Sequence, residues 1–201
     1  MVVSVAVFSQ RLFRIVGRSF LALAFPAHAG PYEDGLTAYQ RGDYATAVTW
    51  FRKAADQGVA IAQVTLGLMH AEGEGVPQDY AEAVKWLRKA AKQGLVEAQT
   101  LLGFMYHDGE GVPQDIAEAV KWWRMAVEQG DVDAQYNLGH MYREGRGVSQ
   151  DYVCAHMWYN LAAALGHDCA RDSCDLLAKC MTLDQVAEAQ RMAREWLAKH
   201  E

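Results

Sequence analysis

The chain has 201 residues, 51% of them hydrophobic and 22% charged, with a formal net charge of −6. That is enough apolar content for a folded core, and the acidic balance disfavours non-specific binding to nucleic acid or to an anionic bilayer. Apolar runs near the N-terminus are broken by Arg11, Arg14 and Arg18, and none approaches the ~18 residues of a membrane span.

Residues 1–29 contain those three arginines and no acidic residue. A short apolar run, Ser19–Phe25, precedes Ala27-His28-Ala29, a small-residue cleavage site. This pattern predicts a secretory signal cut near Ala29, which places the mature protein in a periplasm or outside the cell. The alternatives are an organelle transit peptide, or an N-terminus that starts too early on a cytoplasmic protein. Removing the segment takes the formal charge from −6 to −9.

Residues 30–57 form a shorter first unit. Leu36, Ala38 and Tyr39 belong to its first helix, Arg41-Gly42-Asp43-Tyr44 make its turn, and Asp43, Ala47, Trp50 and Ala54 set its second helix. Three units of 36 residues follow, at 58–93, 94–129 and 130–165. In the first of these, Ala62, Leu66 and Met69 lie at spacings of 4 and 3 and predict a helix over about 59–72. Gly73-Glu74-Gly75 and Pro77 then turn the chain. Asp79, with Glu82 three residues on, has the form of a capping box. Ala83, Trp86, Leu87 and Ala90 give one stripe of a second helix that stops before Gly94. The same types return at Asp115 and Glu118, but Cys154 takes the glutamate's place after Asp151. Glycines inside the first helices, Gly67, Gly103 and Gly139, predict a close helix approach, with the tryptophan of the second helix as neighbour. Residues 166–201 lose the Gly-x-Gly loop and supply capping helices, the last over 183–198 with Thr182 as its cap.

Leu66-Gly67, Gly73-x-Gly75-Val76, Asp79, Ala83, Trp86 and Ala90, repeated in phase, make the chain resemble the Sel1-like repeat family, relatives of the tetratricopeptide repeats. The expected fold is therefore all-α, a right-handed α/α solenoid of antiparallel helix pairs. The resemblance implies an adaptor or scaffold for other proteins; the periodicity implies only the stacked array.

Trp50, Trp86, Trp122 and Trp158 lie on the inner stripe and are expected in the core, as is Trp123. Cys154, Cys169, Cys174 and Cys180 are expected either as two disulfides, if the protein is exported, or as buried free thiols. Their spacing, with His156 and His167, does not match paired zinc ligands, so no metal or other cofactor is expected. No nucleophile motif occurs, and the Gly-Glu-Gly loops lack the Lys-Ser/Thr of a phosphate loop.

First helices of such arrays tend to line a concave face. There Gln63, Gln99, Gln135 and Asn137, with Tyr106 and Tyr142, are candidates to hold a partner peptide; the competing reading is an ordinary solvated helix surface. The expected function is a non-catalytic protein-binding adaptor whose partner is another protein or peptide. A cysteine-containing exported hydrolase acting on a cell-wall or antibiotic substrate is the first alternative, and a purely structural assembly subunit is the second.

Overall fold

A computed structural model describes residues 30–200 of the chain; the expected signal segment, residues 1–29, lies outside them. The described residues hold ten helices and no strand. They divide into two compact units, one ending at Gln114 and one starting at Asp115.

The first unit contains α1 (Pro31–Gln40), α2 (Tyr44–Asp56), α3 (Ala60–Glu72), α4 (Tyr80–Lys92) and α5 (Val96–Asp108). Pairs α1–α2 and α3–α4 pack most closely, and α3 also packs on α2, as α5 does on α4. Short turns join them, so neighbours run antiparallel. Helix α3 ends where Gly73 takes φ +74°, a left-handed stop that a side chain would strain. The second unit contains α6 (Ile116–Val127), α7 (Val132–Glu144), α8 (Tyr152–Ala164), α9 (Ala170–Ala178) and α10 (Leu183–His200). Here α7 pairs with α8, and both α9 and α10 pack on α8.

Each second helix starts at an aspartate. Asp43, Asp79, Asp115 and Asp151 accept from the amide three residues on, at 3.1, 2.9, 2.9 and 2.9 Å. The reciprocal arm of the expected capping boxes is not made. Glu82 and Glu118 accept instead from Lys85 and Lys121, at 2.8 and 2.7 Å. At Asp79 the reason is visible: its amide already donates to the His70 carbonyl at 2.8 Å, so no donor is left for a glutamate. A glutamine that the periodicity did not single out secures the loop from the other side. Gln78, Gln114 and Gln150 each donate to the carbonyl seven residues back, Ala71, His107 and Arg143, at 2.7, 2.7 and 2.8 Å. Carbonyls left over at the end of the first helix are thereby satisfied. A complete capping box does form at the last helix, where Thr182 and Gln185 exchange bonds at 2.9 and 3.2 Å.

The core differs from the expected tryptophan stripe. Only Trp86 of that register is buried; Trp50, Trp122 and Trp158 are half-buried. The innermost residue is the next one along: Phe51, Leu87, Trp123 and Tyr159 are all at or below 1% exposure. Phe51, Leu87 and Tyr159 face the helix glycines Gly35, Gly67 and Gly139. A methyl built on Gly67 would lie 3.1 Å from Leu87 Cγ, and one on Gly139 would lie 2.7 Å from the Tyr159 ring. The glycines thus make room for this ring or branched side chain, not for the tryptophan before it. The register shifts because the first helix is enclosed on every side. Ten of the thirteen residues of α3 are buried, so the second helix must point its largest groups one position further round.

At the C-terminal end, Ala189 and Ala193 of α10 pack on Met157 and Leu161 of α8, with Trp158 and Trp196 meeting edge to face at 5.8 Å. Helix α9 buries only Ala170 and Leu177.

Candidate partner-binding surface

The residues expected to line a concave groove are placed otherwise. Gln63, Gln99, Gln135 and Asn137 are 4, 3, 0 and 0% exposed. Gln63 donates to the Ala55 carbonyl at 3.0 Å and accepts from Gln93 at 2.8 Å, so it ties α3 to the ends of α2 and α4. Asn137 donates to the Asp133 carbonyl one turn back, at 2.8 Å. These amides are structural, because the first helix has no solvated face here on which to present them. Gln63 and Asn137 are thus internal ties, and Gln99 and Gln135 are equally withdrawn from solvent.

Tyr106 and Tyr142 remain half-exposed, and their hydroxyls reveal a feature absent from the sequence reading. Arg88 of α4 donates to Tyr106 of α5, with its guanidinium 5.6 Å from the ring centre. In the second unit Arg124 of α6 donates to Tyr142 of α7 at 2.8 Å. In the first unit Arg52 of α2 reaches His70 of α3 at 3.2 Å. Burial and the neighbouring Arg52 both push the His70 pKa down, so the imidazole is neutral and accepts. The three arginines share one register of the repeat, and each meets an aromatic side chain of the first helix that follows it. All three arginines are exposed. Their partners fix one end of each side chain and leave the remaining guanidinium donors to the solvent side.

Other cations sit on the same second helices. Lys89 lies 3.6 Å over the Trp86 ring and Lys53 5.0 Å over that of Trp50, while Lys85 and Lys92 are exposed. A chain that is acidic as a whole therefore carries cations held against aromatic rings on α2 and α4.

The four cysteines stand as free thiols in this structure. Cys169 and Cys180 are exposed, Cys154 and Cys174 half-buried. Cys174 Sγ lies 3.2 Å from His156 Nε2, a pairing that the sequence did not suggest. Burial raises the Cys174 pKa to about 11 and lowers that of His156, so near neutrality both are uncharged. A protonated thiol on a neutral imidazole is a poor nucleophile. Burial likewise holds Cys154 at about 11, with Asp151 adding to the effect. No cluster of three or more potential metal ligands occurs among the described residues, and none of their helices is long and apolar enough to cross a membrane.

Comparison with known proteins agrees with this architecture. A model of the Sel1 repeat matches residues 27–59, 60–95, 96–131 and 132–167. One similar solved structure is c5321, a protective antigen of uropathogenic Escherichia coli strains displaying an SLR fold. It is 44% identical, with a TM-score of 0.65, over 79% of this chain and 33% of that one. Another is a Sel1 repeat protein from Oxalobacter formigenes, 34% identical with a TM-score of 0.68, over 74% of this chain and 59% of that one. This chain thus spans about a third of the first relative and under two thirds of the second. Among curated proteins none matches. Sel1 repeat proteins are in general protein-interaction scaffolds and not enzymes. With four Sel1 repeats matched over residues 27–167, the chain belongs to the Sel1 repeat family.

Proposed function

We propose that this chain is a non-catalytic scaffold that binds an acidic polypeptide through the arginine–aromatic pairs of its second helices. The observation that carries this reading is the recurrence of an exposed arginine anchored on a tyrosine or histidine of the next first helix. An anchored guanidinium loses less side-chain freedom on binding a carboxylate than a free one, and it makes the bidentate contact a carboxylate favours. Lysines over Trp50 and Trp86 extend the cationic surface in the first unit. Export accompanies the proposal, on the N-terminal arginines, the apolar run Ser19–Phe25 and the Ala27-His28-Ala29 site.

The test is recovery of partners by tagged mature protein, compared with an Arg52→Ala/Arg88→Ala/Arg124→Ala variant. The expected result is a defined acidic protein that the wild type retains at low salt and the variant loses. Equal recovery by both proteins would refute this surface. Edman sequencing of protein isolated from cells tests export: a new N-terminus near Gly30 is expected, and an intact Met1 would overturn it.

A further inference from the structure

The Gly-x-Gly loops do more than turn the chain. In the first unit, a methyl built on Gly75 would lie 2.4 Å from the Tyr44 carbonyl oxygen and 2.9 Å from the Ala45 nitrogen. The loop is therefore seated directly on the first-turn backbone of α2. Gly111 sits in the same way on the first turn of α4, where its methyl would lie 2.2 Å from the Tyr80 oxygen. In the second unit Gly147 sits on Ile116 of α6, where its methyl would lie 2.9 Å from the Ile116 oxygen. The interval along the chain from seat to occupant is the same each time: Tyr44 to Gly75, Tyr80 to Gly111, Ile116 to Gly147. In the first of these loops the acidic residue between the glycines is held as well: Tyr39 donates to the Glu74 carboxylate at 2.9 Å.

The start of α8 is a fourth seat of this kind. At the same interval after Tyr152 stands Leu183, which is 89% exposed, and no Gly-x-Gly turn occurs there. Helix α10 packs on α8 through Ala189 and Ala193 instead. Beside Tyr152 lies an open cavity of about 390 Å³, lined among others by Arg143, Gln150, Ser173, Leu176 and Cys180, with no residue of α10 on its wall. Leu176 is 59% exposed. Arg143 stands where Tyr39 stands in the first helix pair. Each is four residues beyond the glycine that packs on the large ring of its second helix, Gly35 on Phe51 and Gly139 on Tyr159. In this place Arg143 contacts Glu144 at 3.1 Å and His140 at 3.2 Å.

We infer that the cavity at the start of α8 is a docking site for a glycine–acid–glycine turn presented by a partner polypeptide. Shape and charge both select this occupant. Three copies of the seat in this chain hold a Gly-x-Gly turn, two with glutamate and one with Arg146 between the glycines, at a distance from the helix backbone that leaves no room for a Cβ. At the fourth, the Arg143 guanidinium stands where, at the first seat, the Tyr39 phenol holds Glu74. A second copy of the chain supplies no occupant, because its own three turns are already seated. The inference rests on the scaffold reading only in taking a polypeptide as ligand, and it uses a different surface.

The probe is a backbone-cyclised peptide with the sequence of residues 108–115, Asp-Gly-Glu-Gly-Val-Pro-Gln-Asp, titrated calorimetrically into the full chain. One saturable site is expected, weakened at least about tenfold when the second glycine of the peptide is alanine. The same loss is expected for Leu176→Arg, whose exposed position leaves the helical circular dichroism unchanged. A Glu→Gln peptide should bind severalfold more weakly to wild type and equally to an Arg143→Ala variant. Absence of binding, or equal binding of the glycine and alanine peptides, overturns the inference. Loss of peptide binding with the arginine-dependent partner still recovered would leave the proposed function standing; the reverse result would remove that function and leave the seat.

Discussion

The seating of each glycine loop on the preceding second helix makes a prediction that separates two roles of glycine. Gly94 has φ +88° with open space where a Cβ would go, so Gly94→Ala meets only the left-handed backbone, costing ~1–2 kcal/mol. Gly111 has φ +70°, and a Cβ added there would lie 2.2, 2.3 and 2.7 Å from the Tyr80 oxygen, the Tyr80 carbon and the Ala81 nitrogen. An added methyl there sits ~1 Å inside ordinary contact, and backbone cannot rotate away as a side chain does. The loop must lift off α4, at a further ~2 kcal/mol on the scale of overpacked sites. Reduced freedom of the unfolded chain favours both alanines equally and cancels in the comparison. Urea unfolding followed by circular dichroism measures it: with a slope near ~2 kcal/mol/M, Gly111→Ala should unfold ~1 M earlier than Gly94→Ala. Equal midpoints for the two variants would refute the seat.

Three further outcomes follow from other parts of the molecule. Trp123→Ala should cost ~3–5 kcal/mol in urea unfolding, and clearly more than Trp50→Ala, because Trp123 is fully buried and Trp50 is not. Asp79→Ala should lose ~1 kcal/mol as a helix cap, while Glu82→Ala should stay within ~1 kcal/mol, because its bond to Lys85 joins two side chains at the surface. Thermal unfolding between pH 8 and 4 should show stability falling with acid below about 6.5. Burial lowers the pKa of His70, His140 and His156, the second to about 4, so the unfolded chain takes up protons there that the folded chain does not. Glu144 beside His140 opposes this shift, and Arg143 and Arg146 reinforce it. His140 alone accounts for up to roughly 3 kcal/mol of the loss. His200, bonded to the Trp196 carbonyl and Glu128, has a raised pKa. Its contribution is present at low pH and is lost as pH rises through that value, against the main trend.

Helix existence, loop position and the repeat itself were legible because they depend on local chemistry. Aspartate caps, left-handed glycines and a 36-residue phase each leave a residue type at a fixed place. What periodicity could not resolve was which side of a first helix meets solvent. Gln63 and Gln99 look like surface residues by type, but a helix enclosed by its neighbours buries them. A one-residue shift separates Trp122 from Trp123, and a spacing of 3 or 4 allows either on the inner stripe. The arginine–aromatic pairs were written at 52, 88 and 124 and at 70, 106 and 142. Their meeting depends on how a second helix leans on the first helix of the following pair, which no spacing within one helix encodes. The open seat at α8 needed the structure for the same reason. It shows as a missing glycine in the sequence, and as a site only once the three filled seats define what belongs there.

The proposed scaffold function is tested most directly by placing a photo-crosslinking phenylalanine analogue on the surface of α4, one turn from Arg88, in the mature protein in its cells. With the analogue at the exposed position 92, so that Tyr106 keeps its bond to Arg88, a single acidic polypeptide should become covalently attached on irradiation, and Arg88→Ala in the same background should abolish the adduct. Irradiation that yields no protein adduct, or one that survives loss of the arginine, would contradict the account.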